Sequence, residues 1–172
     1  AMYLDFNSIG KGFGIDIVAR FLDQQQIANY MIEIGGEIRA KGVKKNNKPW
    51  RVQLQNPVKT NINEAFTVIN LSNNSMATSG NYRKFRIAEN GQKYVHTINP
   101  KTGFATESNL LSVSVIAAID CADVDAYATA FMAMGVEKTK IFLEKHKEIK
   151  AILIYIDAQQ NLASYSNYDD GL

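Results

Sequence analysis

One cysteine, three prolines, one tryptophan and two histidines are all that this 172-residue chain holds of those types. A single thiol, Cys121, excludes an intrachain disulfide and any metal site built from several cysteines. Nor does one sign of charge dominate. Nineteen Lys and Arg against seventeen Asp and Glu leave a formal charge of +2, too small to imply a nucleic-acid partner. Lys41, Lys44, Lys45 and Lys48 surround Asn46-Asn47 without interleaved aromatic rings, which reads as the solvated tip of a hairpin. No run approaches the ~18 apolar residues of a membrane span, and no signal peptide is visible. Ala1 ahead of Met2 reads as a vector scar, and a strand-like stretch, 2–6, begins at once. The expectation is a fragment whose N-terminal part, with any export signal, lies outside the sequence.

What is present is ordinary for a soluble globular domain: 46% apolar and 21% charged residues. The length suits one domain that buries roughly two thirds of its unfolded surface. Residues 2–6 read as a short strand. Residues 11–26 read as a helix, with Ile15, Val18, Ala19, Leu22 and Ile27 near helical spacing. Gly10, Gly12 and Gly14 weaken that helix by about 1 kcal/mol each against Ala, so something is expected to approach its backbone closely there. Strands are predicted at 30–34, 37–41, 50–55 and 65–71, with a loop at 57–63. A polar, turn-rich segment follows at 73–80, then a hairpin of 83–88 with 92–98, and a β-branched strand at 111–117. Helices at about 122–134 and 136–147, split by Gly135, precede a final hairpin of 151–157 with 161–165. With no internal repeat, the pattern is α+β: a mixed or mostly antiparallel sheet packed on about three helices.

Several segments carry residues suited to chemistry. Tyr94-Val-His96-Thr-Ile-Asn99-Pro100-Lys-Thr102-Gly103 sets a histidine at a strand end beside a tightly specified turn. A histidine there suits proton transfer or ligand contact near neutral pH, and equally a half-buried place in a hairpin. Asp125 and Thr129 stand four apart on a helix, hence on one face, and offer hard oxygens to Mg²⁺ and phosphate. The alternative is that Asp125, like Asp120 and Asp123, serves the helix N-terminus. Ile34-Gly35-Gly36-Glu37 lets a backbone approach a flat or phosphorylated ligand, or marks a β-bulge. Ala77-Thr78-Ser79-Gly80-Asn81-Tyr82 is a hydroxyl-rich turn able to offer donors to an anion. In Leu4-Asp5-Phe6-Asn7-Ser8-Ile9-Gly10-Lys11-Gly12, a strand meets a helix N-terminus, whose N–H groups favour anions. The spacing is not that of a phosphate-binding Walker loop. His146, between two lysines late in a charged helix, reads as a surface residue.

Taken in order, these segments resemble the ApbE family, FAD:protein FMN transferases that attach FMN covalently to Ser or Thr of acceptor proteins. The carriers are Asp5 to Asp16, Gly35-Gly36-Glu37-Ile-Arg, Ala77-Thr78-Ser79-Gly80-Asn-Tyr82, His96-Thr-Ile-Asn-Pro-Lys-Thr-Gly103 and Asp125-Ala-Tyr-Ala-Thr129. The resemblance covers essentially the whole chain but only the C-terminal half to two thirds of a family member, so residues 1–172 read as a single ApbE-like domain lacking the N-terminal part. It implies that FAD is the substrate, that Asp125 and Thr129 bind Mg²⁺ with a backbone oxygen near Gly10, and that Asp125 and His96 are catalytic. It further implies that Gly10, Lys11, Gly35, Gly36, Glu37, Thr78, Ser79, Gly80 and His96 line the FAD site. The implied reaction is attack of an acceptor hydroxyl on the FMN phosphorus with release of AMP. Metal-dependent FAD hydrolysis and flavin binding without turnover are the alternatives. Family members are typically exported to the periplasm or the outer face of the bacterial inner membrane, often on a lipid anchor. Two segments depart from the pattern. Asn99 replaces the usual Asp, keeping the turn but losing a charge, and Asn7-Ser8 replaces Gly-Gly, with Gly10 in place of Ala.

Overall fold

The β-branched run near 111–117 becomes the strand around which the rest is built. The computed structural model describes residues 4–56, 65–80, 85–87, 93–95, 98, 103–104 and 109–169. In chain order, helix α1 (Gly10–Gln24) is followed by strands β1 (Tyr30–Ile34), β2 (Glu37–Lys41), β3 (Trp50–Gln55), β4 (Ala65–Leu71) and β5 (Asn74–Gly80). Then come short β6 (Phe85–Ile87) and β7 (Lys93–Val95), β8 (Leu110–Ala117), helices α2 (Cys121–Met134) and α3 (Val136–Lys145), and strands β9 (Lys150–Ile156) and β10 (Leu162–Ser166). Six strands form one sheet in the order β1-β2-β5-β8-β9-β10. Every neighbouring pair in it is antiparallel. β3 and β4 form a separate hairpin, as do β6 and β7.

β8 is apolar along nearly its whole length because both its faces are covered. Val113, Val115 and Ala117 join Val124, Ala128, Phe131, Met132, Leu143 and Leu153 in a core between sheet and helices. Ile116 points the other way, into a second core with Ile38, Met76, Ile152 and Ile154 that the β3–β4 hairpin closes with Leu54, Ile69 and Leu71. In α2, Cys121, Val124, Asp125, Ala128, Phe131 and Met132 are buried at helical spacing. The Phe131 ring packs on Tyr127 and Phe142 with centroids 5.7 and 5.4 Å away. No helix among the described residues is long and apolar enough to cross a membrane.

Three expectations fail locally. Within 2–6, the described residues Leu4 to Phe6 are irregular and exposed, and no strand pairs with them among the described residues. The first helix ends at Gln24, before Ile27, as the chain turns out through a positive φ at Gln26. The polar segment at 73–80 is mostly strand β5, in register with β2 through Ile38↔Met76 and with β8 through Thr78↔Ser114. Its hydroxyls do not make a turn; they are satisfied across the sheet and against α2. The predicted loop 57–63 lies outside the described residues.

Candidate functional site

Alternation along two neighbouring strands sorts the candidate residues onto opposite faces of the sheet. On β2, Glu37 and Arg39 face the helices, whereas Ile38 and Ala40 face the hairpin core. On β5, Ser79 faces the helices: its Oγ lies 3.3 Å from Thr129 Oγ1. Thr78 faces the other way, its Oγ1 2.8 Å from Ser114 Oγ on β8. Thr78, Ser79 and Gly80 therefore do not form one hydroxyl-lined turn. A strand divides them, with Gly80 exposed at its end.

On the helix side, α1 and α2 cross so closely that a Cβ on Gly12 would stand 2.4 Å from the Cys121 carbonyl oxygen. The close approach that the glycine-rich start predicts is thus made by the α2 backbone, and it needs only this one glycine. A Cβ on Gly14 would meet only Ile34 Cδ1 at 3.8 Å, and one on Gly10 nothing within 4 Å. The crossing lets each helix cap the other. Asp16 on α1 accepts the Cys121 and Ala122 N–H groups at the start of α2, both at 2.9 Å. Asp125 on α2 accepts the Gly12 N–H in the first turn of α1 at 3.1 Å. Neither helix is capped by its own N-cap side chain, so both sets of orphan N–H groups draw on residues more than a hundred positions away.

The two carboxylates live differently. Asp16, 1% exposed, also pairs with the Arg39 guanidinium, which reaches Asp120 at 2.7 Å while Arg20 meets Asp120 at 2.8 Å. Burial opposes the charge on Arg39, but hydrogen bonds and charge from Asp120 and Asp16 outweigh it and hold its pKa above the usual value. Asp120 is held below the usual carboxylate range by its hydrogen bond to Arg39. Asp125, 3% exposed, receives no hydrogen bond from a side chain among the described residues. Burial pushes its pKa up, against the Gly12 N–H and the more distant Lys11 charge. Glu37 is also buried, and burial pushes its pKa up, with Asp125 adding to the rise and Lys11 opposing it at 2.5 Å. Two acids thus share one ammonium. Thr129 stands one turn beyond Asp125 on α2.

Between the two faces stands the β1–β2 turn. Gly35 and Gly36 have φ of +62° and +104°. Together they close a two-residue hairpin, Ile34 opposite Glu37, so both glycines serve turn geometry rather than a bulge. The Gly36 N–H donates to Glu33 Oε1 at 2.7 Å. On the hairpin side these glycines border a cleft of about 380 Å³, lined also by Gln53, Gln55, Thr78, Ser112, Ser114 and Ile154. Its mixed apolar walls and convergent polar groups suit a small-molecule ligand. The lining by β3 and β8 had no signal in the sequence, because those residues reach the cleft only through sheet alternation. His96, and Asn99 after it, lie outside the described residues. His146 is at the surface, stacked on Phe142 and 3.1 Å from Glu148. Cys121 is a buried free thiol, its pKa pushed up to about 12 by burial.

Comparison with known proteins gives these positions a family context. The ApbE family model matches residues 1–153. A Haemophilus influenzae protein named FAD:protein FMN transferase is 40% identical over 156 residues, 91% of this chain and 44% of that protein. A Vibrio cholerae protein of the same name is 39% identical over 137 residues, 80% of this chain and 40% of that one. Among solved structures, the Pseudomonas stutzeri flavinyl transferase ApbE in its apo form aligns with TM-score 0.80 and 32% identity, over 95% of this chain and 49% of that one. The flavin transferase ApbE from Vibrio cholerae aligns with TM-score 0.81 and 34% identity, over 95% and 50%. The chain thus spans about half the length of these relatives.

Proposed function

Since the chain belongs to the ApbE family, we propose that it contributes the metal- and flavin-facing half of an enzyme that transfers FMN from FAD to a Ser or Thr hydroxyl of an acceptor protein. The relatives named FAD:protein FMN transferase support flavin transfer. The single observation that carries the reading for this chain is Asp125: buried, accepting one backbone N–H and no described side-chain donor, one turn before Thr129.

That donor set fits Mg²⁺ of one kind. No group of three or more His, Cys, Asp or Glu side chains gathers among the described residues, so an all-protein cage is not what these residues make. Mg²⁺ commonly takes one or two carboxylates and completes its shell with waters and substrate phosphates. Asp125 and Thr129, with a backbone oxygen near Gly10, would hold it in that way. Once bound, Mg²⁺ supplies charge neutralisation for the phosphoryl group in transfer.

The chain's own groups would do the rest. Gly35, Gly36 and Thr78 offer the cleft to the flavin, and Lys11 offers an ammonium to the phosphates. The acceptor oxygen forms a bond to the FMN phosphorus as the bond to the AMP phosphate breaks. His96 takes the hydroxyl proton, and AMP leaves. By the same resemblance, the whole protein works in the periplasm or at the outer face of the inner membrane, held there by lipid.

The test uses a family-length protein containing this sequence, incubated with FAD, Mg²⁺ and an acceptor protein. FMN fluorescence should remain on the acceptor in a denaturing gel and disappear with EDTA, with Asp125→Ala and with His96→Ala. Labelling that survives both EDTA and Asp125→Ala would remove the metal assignment. FMN and AMP released without any acceptor would favour FAD hydrolysis instead.

A further inference from the structure

Resting on the flavin-transfer reading, we infer that Glu37 is a positioning residue: it touches no part of the flavin and holds Lys11 in place for the diphosphate. Glu37 is 1% exposed and faces the helices from the first position of β2. The one polar group set against its Oε2 among the described residues is Lys11 Nζ, at 2.5 Å. Lys11 is 45% exposed, so the pair has a sealed end and an open one. Between them the lysine stem crosses Gly35, where a Cβ would stand 3.3 Å from Lys11 Cδ and 3.9 Å from Glu37 Oε2. The glycine turn therefore leaves the channel through which Lys11 reaches its anchor.

The chemistry follows from donor counting. An ammonium has three N–H donors. Ion pairing with Glu37 holds one side of it, and its 45% exposure leaves the rest open to a ligand at the first turn of α1. A free lysine loses most of its rotamer freedom when it clamps a phosphate. Here the buried carboxylate has already imposed that order. Anchored in this way, Lys11 meets a diphosphate in one geometry, and the backbone N–H groups of the same helix turn add to the attraction. Glu37 acts only through Lys11.

A double-mutant cycle tests this. Lys11→Met, Glu37→Gln and the pair are compared with the unmodified chain in two readouts: urea unfolding, and calorimetric titration with inorganic pyrophosphate in the presence of Mg²⁺. Lys11→Met should lower the urea midpoint, because it strands a buried carboxylate, and should weaken pyrophosphate binding at least tenfold. Glu37→Gln should leave the midpoint equal or higher, since a neutral amide of the same shape is easier to bury, yet weaken pyrophosphate binding about fivefold. The double variant should regain the midpoint and not the affinity. A merely structural pair would move the midpoints and leave the pyrophosphate affinity alone.

Pyrophosphate binding by Glu37→Gln that is unchanged or tighter overturns the positioning role. Unchanged binding by Lys11→Met, or none by the unmodified chain, overturns the phosphate role of Lys11. Flavin fluorescence titrations run alongside separate this from the broader reading. FAD binding that ignores both residues would sink the pair and keep the flavin reading. Lys11-dependent pyrophosphate binding without any FAD binding would do the reverse.

Discussion

Asp16 and Asp125 are both aspartates, both almost fully buried, and both accept backbone N–H groups across the same helix crossing. Asp16 has two such donors and a guanidinium; Asp125 has one donor and shares the single ammonium of Lys11 with Glu37. A buried charge is tolerated when it is paired and fully hydrogen-bonded, and is costly otherwise. Asp16 is therefore saturated, a structural lock between α1 and α2. Asp125 is short of positive charge, which is the condition in which a site gains by taking up a cation. Burial alone does not separate the two acids, but the count of their donors does.

The sharpest way to break the comparison is to remove each acid. Asp16→Ala strips two N–H groups at the start of α2 of their acceptor and takes one of two carboxylates from Arg39. It should cost about 3–5 kcal/mol of stability in urea unfolding, the range for breaking a buried pair. A loss of only about 0.5 kcal/mol, typical of surface changes, would show that Asp16 is no lock. Gly12→Ala attacks the same crossing sterically. Its Cβ would meet backbone, not a flexible side chain, at 2.4 to 2.7 Å. The helices must separate, at about 1–3 kcal/mol, even though Ala is the better helix former. Gly10→Ala has open space around it and should leave stability level or raise it. Equal costs at the two glycines would contradict the close approach.

Asp125→Asn should behave in the opposite way to Asp16→Ala. The amide oxygen can still accept the Gly12 N–H, and the change removes a charge that burial disfavours. The urea midpoint should stay level or rise. Added Mg²⁺ with pyrophosphate should raise the melting temperature of the unmodified chain and not that of Asp125→Asn. If both chains respond alike, the cation does not sit at Asp125.

Much of this contrast was legible before the structure. The elements at 30–34, 37–41, 50–55 and 65–71 fall where periodicity puts them, because each carries an apolar face of its own. The glycine-rich start of α1 announced a close neighbour, and the four-residue step from Asp125 to Thr129 announced a shared face. Asp16 has no such signal, since the backbone N–H groups it accepts, at Cys121 and Ala122, lie more than a hundred residues away and only the helix crossing brings them together. The strand character of β5 is hidden in the sequence for a related reason. Ser75, Thr78 and Ser79 look like turn residues by composition, but their hydroxyls bond to the Ile119 carbonyl, Ser114 and Thr129, partners that exist only once β8 and α2 are in place.

The smallest expected effect concerns acid. Arg39 holds Asp120 below the usual carboxylate range. A lowered folded-state pKa stabilises the fold at pH values above the unfolded value of about 3.9, and that stability is lost as pH falls through the folded value. Asp23, lowered by its hydrogen bond to Lys41 at 2.8 Å, has the same sign but lies outside the helix crossing. Unfolding midpoints followed from pH 7 down to about pH 3 should therefore fall less steeply in Asp120→Asn and in Asp23→Asn than in the unmodified chain. The two variants differ in a way that reports on the crossing itself. Asp120 shares Arg39 with Asp16, so the acid response of Asp120→Asn should depend on whether Asp16 is present, whereas that of Asp23→Asn should not. Combining each with Asp16→Asn checks this. If both pairs are additive, Arg39 does not couple the two acids, and the lock at the start of α2 reduces to its two backbone hydrogen bonds.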